Sequence, residues 1–134
     1  VAVKTMDIRI YYEDTDHGGV VYHSNYLKFM ERARTELLRD LGFEQSALAE
    51  KEDIVFALSR SDIRYLRPAT FDNLIQVQTE LVEVKGARML FKQNIYRDNT
   101  HLVEGDIWIA CMSRQGKAKR IPAYLRDRMN EEKS

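Results

Sequence analysis

Ser24-Asn25-Tyr26-Leu27-Lys28-Phe29-Met30-Glu31-Arg32-Ala33-Arg34-Thr35-Glu36-Leu37-Leu38-Arg39-Asp40-Leu41-Gly42 is the stretch on which the fold turns. Tyr26, Met30, Ala33, Leu37 and Leu41 recur at three and four residues, so a 3.6-residue helix carries them on one face. Lys28, Glu31, Arg32, Arg34, Glu36, Arg39 and Asp40 occupy much of the remaining surface. The pattern predicts an amphipathic helix lying on something apolar. Ser24 offers a side-chain oxygen for the N-cap and Gly42 supplies the stop. At 1.5 Å per residue, roughly 17 residues make a helix of about 25 Å, enough to cover one face of a sheet.

The flanking sequence changes period. Before the helix, Met6, Ile8, Ile10 and Tyr12 alternate with Asp7, Arg9 and Tyr11, the two-residue repeat of a half-buried strand. After it, a short helical turn is expected around Gln45 to Glu50. Ile54, Phe56 and Leu58 then alternate in one parity and Ile63 and Tyr65 in the other, which places a bulge or bend near Ser59 to Asp62. Leu74 to Val84 reads as a strand, Lys85-Gly86 as a turn, Met89, Phe91 and Ile95 as the next strand, and Asp98-Asn99 as another turn. Val103 to Met112 is nearly continuously apolar from Ile107, as expected of a strand covered on both faces.

No repeat, low-complexity tract or linker divides residues 1–134, and both prolines, Pro68 and Pro122, stand near element ends. The expectation is a single α+β domain, an antiparallel sheet wrapped on one long helix. The sheet's second face or edge then needs a partner, and two-fold self-association is the commonest way to supply one.

An apolar fraction of 44% and a charged fraction of 31% are ordinary for a globular domain. Lys plus Arg equals Asp plus Glu at 21 each, so no global field draws the chain to nucleic acid or an anionic membrane. An anionic ligand must be held by a local cluster. Cys111 stands alone and cannot form an internal disulfide, and no basic segment followed by a long apolar run opens the sequence, so a reduced cytoplasmic setting without a membrane span is expected.

The chemistry points to the segment just before the helix, Tyr11-Tyr12-Glu13-Asp14-Thr15-Asp16-His17-Gly18-Gly19-Val20-Val21-Tyr22-His23. Gly18 and Gly19 let backbone approach a ligand closely, and a helix N-terminus presents unpaired N–H groups able to polarise a carbonyl. Asp16 adds a carboxylate that can attack directly or deprotonate water. The same spacing also describes an ordinary glycine loop before a capped helix.

The run Tyr12 to Tyr26, continued through Phe29-Met30-Glu31-Arg32-Ala33-Arg34, resembles the signature of the 4-hydroxybenzoyl-CoA thioesterase family, and most closely its YbgC-type, Tol-Pal-associated bacterial branch of acyl-CoA thioesterases. The likeness continues more loosely through Arg64-Tyr65-Leu66-Arg67-Pro68-Ala69 and Asp72 to Ile107–Met112. It implies the hotdog fold and hydrolysis of acyl-CoA thioesters, with no cofactor. It implies further that Asp16 is the catalytic carboxylate and that the His23 N–H is the donor to the thioester carbonyl. Sites at subunit contacts and dimers of dimers are also implied. Whether Asp16 is nucleophile or general base stays open.

His23 is in addition a candidate proton carrier, or a residue that orders the loop. His17 has no assigned role, and His101 beside a turn is expected to be solvated. Tyr12 joins Asp16 and His23 as a catalytic candidate, and Tyr12 and Tyr22 are candidates for the acyl pocket wall, with Gly18 and Gly19 against the substrate. A metal set of Asp14, Asp16, His17 and His23 lacks recognisable ligand spacing, and no metal is expected. Cys111, inside an apolar run, reads as a core residue. CoA phosphates call for cations: Arg60, Arg64, Arg67, Lys85, Arg88 or the stretch Arg114 to Arg120. Competing readings are an acyl carrier protein thioesterase, and a non-catalytic protein that binds acyl-CoA or a phospholipid-synthesis enzyme.

Overall fold

Two tight hairpins build the centre of the sheet in the computed structural model, which describes residues 2–131. The strands are β1 (Ala2–Arg9), β2 (Val55–Tyr65), β3 (Leu74–Lys85), β4 (Arg88–Arg97) and β5 (Thr100–Met112); the helices are α1 (His23–Asp40), α2 (Gln45–Glu52) and α3 (Ala123–Glu131). Gly86 at φ +60° turns β3 into β4, and Asp98 at φ +53° turns β4 into β5. All pairings are antiparallel, in the order β1-β3-β4-β5-β2, so β1 and β2 are the edges. The expected irregularity in β2 is a register shift between Leu58 and Arg60.

The apolar face of α1 lies on the sheet and buries Tyr26, Phe29, Met30, Ala33, Leu37 and Leu38. The helix packs closest to β1 and β3. Its close seat over β5 depends on Gly105, where an added Cβ would stand 2.9 Å from Met30 Cε. A polar thread crosses this contact: the fully buried Gln93 donates through Nε2 to the Met30 carbonyl (2.8 Å) and to Thr79 Oγ1 (2.9 Å), and accepts from Arg34 (2.9 Å).

Several expectations are corrected. The helix starts at His23 with Tyr22 as N-cap, and Ser24 lies inside its first turn. The start is fixed by tertiary bonds, Tyr22 N–H to the Asp14 carbonyl (3.3 Å) and Asn25 Nδ2 to the same oxygen (2.8 Å), which override the cap preference of Ser24. β5 is buried on the helix side only; on its other face Glu104, Asp106, Trp108, Ala110 and Met112 are half-buried. Trp108, Ala110 and Met112 on that face are left half open. His101 is half-buried, bonded to Asn94 Oδ1 (2.9 Å) and stacked on Tyr96, where a solvated ring was expected. The sequence reading passed over α3, whose Leu125 and Met129 are buried four residues apart behind Pro122.

Candidate active site

Between β1 and α1 the chain folds back on itself. A single 3₁₀ turn, Tyr12–Asp14, is held by the Tyr11 N–H on Asp14 Oδ2 (2.8 Å). A small hairpin follows, with Thr15 bridged to Val21 and Val20 bridged to Thr70. Its tip is Asp16-His17-Gly18-Gly19: the Asp16 N–H reaches the Val20 carbonyl (2.8 Å), and the Gly19 N–H reaches the Asp16 carbonyl (3.1 Å). Gly19 sits at φ +80°, where a side chain would be strained. The turn that precedes β3 supports the tip from outside, since the Phe71 N–H bonds the Gly19 carbonyl (3.3 Å) and the Val21 N–H bonds the Ala69 carbonyl (3.0 Å).

Asp16 is half-buried, and its Oδ1 accepts the Gly18 N–H (2.8 Å) and the Val20 N–H (3.3 Å). Two backbone donors thus orient the carboxylate through one of its oxygens. Gly18 leaves little room beside it, because an added Cβ there would lie 3.3 Å from that oxygen. Hydrogen bonding of Asp14 to Tyr22 brings the two arms of the loop together, so Asp16 and His23 each stand within two residues of the closed pair. His23 is the first residue of α1, and its N–H is among the helix donors without an intrahelical acceptor.

The His23 ring stacks on Tyr65, the last residue of β2, with centroids 4.1 Å apart and planes 8° from parallel. Tyr65 in turn tilts against Tyr26, whose hydroxyl accepts the Ala69 N–H (2.8 Å). Burial pushes the Tyr26 and Tyr65 phenols up, so both stay neutral and apolar in character around the site. His23, Tyr26, Tyr65, Leu66, Arg67 and Pro68 line a cavity of about 160 Å³ at the helix start.

The other candidates are spread out. Tyr22 is exposed beside the loop, whereas Tyr12 is 79% exposed and packs edge-on against Phe71 with centroids 5.9 Å apart. His17 is exposed at the tip. Asp14 is occupied by the Tyr11 N–H, and among the described residues no three His, Cys, Asp or Glu side chains form a metal-binding group. Arg67 borders the His23 cavity, but Arg64 lies on the outer sheet face, paired with Glu104 (2.6 Å), and Arg60 stacks over Trp108. Lys85 and Arg88 flank the turn at the far end of the 12-residue β3, roughly 35 Å from the loop at about 3.3 Å per residue. Within one protomer they do not face Asp16. Arg114 and Lys119 are tied to the Asp53 region. Cys111 is buried and its thiol is pushed up by burial.

Three contributors escaped the sequence reading in these roles: Tyr65 as the stacking partner, Asn25 as the loop clamp, and Asp14 as a structural acid. Asn25 at the third helical position carries a local signal, a polar side chain on a face about to be buried. Tyr65 carries none, since its pairing with His23 spans 42 residues of chain and only the sheet creates it.

Residues 18–104 match the thioesterase superfamily, a span that takes in both glycines, His23 and Tyr65 and begins two residues after Asp16. The chain is 46% identical over 114 residues to the acyl-CoA thioesterase YbgC of Haemophilus influenzae, covering 85% of this chain and 83% of that one. It is 42% identical over 106 residues to the acyl-CoA thioester hydrolase YbgC of Escherichia coli, covering 78% of each. Among solved structures, a probable thioesterase from Bartonella henselae superposes with a TM-score of 0.85 at 40% identity, covering 90% of this chain and all of that one. The 4-hydroxybenzoyl-CoA thioesterase of Pseudomonas sp. strain CBS-3 superposes with a TM-score of 0.89 at 17% identity, over 96% of this chain and 99% of that one, a likeness of hotdog fold.

Proposed function

The chain belongs to the thioesterase superfamily and is an acyl-CoA thioester hydrolase, and from that premise we propose that Asp16 performs the hydrolysis while the His23 N–H holds the thioester carbonyl. The observation that carries this reading is the anchoring of Asp16 Oδ1 by the Gly18 and Val20 N–H groups beside the unpaired start of α1. An acyl-CoA carbonyl oxygen accepts the His23 N–H, and negative charge that develops on it is stabilised by the helix end. Asp16 then works in one of two ways. Its free oxygen attacks the carbonyl carbon, the C–S bond breaks, and water cleaves the resulting mixed anhydride; or it takes a proton from the water that attacks. Both routes consume one water and release a carboxylic acid and CoA. A thiolate leaves without a strong general acid, which suits a site with one carboxylate.

Arg67 is the nearest cation candidate for a CoA phosphate. Lys85 and Arg88 fit that role only from a second subunit. A homo-oligomer, as a dimer of dimers, is supported by the edge position of β2 and by the exposure of Leu58 (56%) beside Leu27 (42%) on α1. No helix among the described residues is long and apolar enough to cross a membrane; the cytoplasmic setting is our reading of the lone reduced Cys111.

A panel of acyl-CoA thioesters assayed by free-thiol release tests the activity, with the same acyl groups on acyl carrier protein as the rival carrier. Hydrolysis on CoA with weak turnover on the protein carrier is expected. The reverse preference would reassign the substrate, and no turnover on either would overturn the reading. Light scattering at micromolar concentration checks the assembly, and a stable monomer of 15.7 kDa would refute it.

A further inference from the structure

The turn between β2 and β3 touches both halves of the candidate site. The Ala69 carbonyl accepts the Val21 N–H (3.0 Å), the Phe71 N–H donates to the Gly19 carbonyl (3.3 Å), and Thr70 is bridged to Val20. Val20 is one of the two residues whose N–H holds Asp16 Oδ1. The loop's other arm rests on the same turn, since the Ile10 carbonyl accepts the Asp72 N–H (2.9 Å) and the Ile10 N–H donates to the Asn73 carbonyl (2.9 Å). Toward the helix, the Ala69 N–H donates to the hydroxyl of Tyr26 (2.8 Å), three residues along α1 from His23. Where residues 69–71 stand thus sets where the Asp16 carboxylate stands relative to the His23 N–H.

Burial does little to hold this turn, because apart from Ala69 residues 67–72 are exposed. Hydrogen bonds hold it instead. Asn73 Oδ1 accepts the Thr70 N–H (2.8 Å), the Thr70 hydroxyl (3.1 Å) and Arg97 Nη1 (3.1 Å). The Asn73 N–H closes the turn on the Thr70 carbonyl (3.1 Å), with Asp72 at φ +71°. Arg97, the last residue of β4, donates as well to the Pro68 carbonyl (3.2 Å), so one guanidinium grips the segment near its start and at its end. Its bonds are charge-assisted, the stronger kind, and they tie an exposed turn to a strand inside the sheet.

We propose that Arg97 and Asn73 are positioning residues for the hydrolysis: acting through Thr70 and Val20, they place the Asp16 carboxylate at its working position beside the start of α1. The inference rests on the thioesterase reading above and adds two residues that act on the reaction only through others. Without the Asn73 acceptor, Thr70 is free to leave Val20, and the Val20 N–H is carried away from Asp16 Oδ1. A carboxylate that must meet a carbonyl carbon or its attacking water loses on the order of a hundredfold for a displacement of about 1 Å. The carbonyl donor keeps its place, because the start of α1 is fixed by the bonds of Tyr22 and Asn25 to Asp14. The signature is a fall in kcat with KM nearly kept.

The test follows butyryl-CoA and decanoyl-CoA hydrolysis by the full chain as wild type, Asn73→Ala, Arg97→Ala, the double variant and Asn73→Asp. Asn73→Ala should lose about tenfold or more in kcat and Arg97→Ala about fivefold, each with KM within about twofold of wild type. The double variant should lose no more than Asn73→Ala, because both side chains act along one chain of bonds. A carboxylate accepts the same donors as Asn73 Oδ1, so Asn73→Asp should stay within about threefold of wild type. Amide resonances of Gly18 and Val20, which report their bonds to Asp16 Oδ1, should shift in both alanine variants and stay in place in Asn73→Asp. Should Asn73→Ala fail to fold, Arg97→Ala decides, since it leaves the turn's own bonds intact. Wild-type kcat in the folded alanine variants, whatever their Tm, would overturn the proposal, and so would an equal loss in Asn73→Asp. A wild type that hydrolyses neither thioester would remove the thioesterase reading itself and this inference with it.

Discussion

The imidazole of His23 lies face to face on the phenol ring of Tyr65, 4.1 Å between centroids, so the first residue of α1 is clasped to the last residue of β2. The stack ties the donor that would hold the carbonyl to a sheet edge, and it orders a backbone N–H through a side chain. Tyr65→Ala should lower kcat several-fold and cost about 0.5–1.5 kcal/mol of stability, the usual worth of an aromatic pair beyond its area. Tyr65→Phe keeps the ring and should stay near wild type. His23→Ala retains the N–H and should lose less activity than any change at Asp16. Steady-state kinetics and thermal melts on the three variants check this order.

Gly18 and Gly19 are adjacent but should fail differently. A methyl at Gly18 meets Asp16 Oδ1 at 3.3 Å, so Gly18→Ala should displace the carboxylate and lower kcat with little change in Tm. At Gly19 nothing stands within 4 Å of an added Cβ, but φ is +80°, so Gly19→Ala should cost about 1–2 kcal/mol through the backbone. Paired melting and kinetic measurements separate a displaced carboxylate from a strained loop.

α3 is joined to α2 by the Tyr124 hydroxyl, which donates to Glu52 Oε2. Burial, then the hydrogen bond and charge of Glu52, push the Tyr124 phenol up to about 12. A raised folded-state pKa means that the bonded, neutral phenol adds stability in full below the ordinary tyrosine value of about 10 and loses it as pH climbs toward 12. The side chain is about half exposed, so the effect is modest. Urea melts at pH 9 and pH 11.5 should show a larger fall for the wild type than for Tyr124→Phe, and equal falls would disprove the link.

Local periodicity was enough to read the helix, the two hairpin turns and the β2 irregularity, because each is set by neighbours within a few residues. The turn at Asp16-His17-Gly18-Gly19 was legible too, because the paired glycines mark a break in periodicity and Gly19 takes the positive φ the turn needs. Illegible were the relations made by distant chain: the His23–Tyr65 stack, the half-covered outer face of β5, and the helix start, where the Asp14 carbonyl outbids the cap preference of Ser24. The cations show the same limit. Arg64 and Arg67 are three residues apart, yet the sheet turns Arg64 outward to Glu104 and leaves Arg67 beside His23.

Asp16→Asn isolates the chemistry from the scaffold. Oδ1 accepts the Gly18 and Val20 N–H groups, and the amide oxygen of asparagine can accept both, with its NH₂ taking the place of the free oxygen. The hairpin, the helix start and the oligomer should therefore survive, and Tm should change by little. What disappears is the anionic oxygen that attacks or deprotonates. General-base assistance alone is typically worth about 10²- to 10⁴-fold, and a lost nucleophile can cost more, so kcat should fall at least about a hundredfold. Acyl-CoA should still bind, because the proposed carbonyl donor is backbone. Stopped-flow free-thiol assays and calorimetric binding of a non-hydrolysable thioether analogue measure the two quantities separately. Near-wild-type turnover in a preparation free of other thioesterases would move the catalytic group elsewhere in the fold.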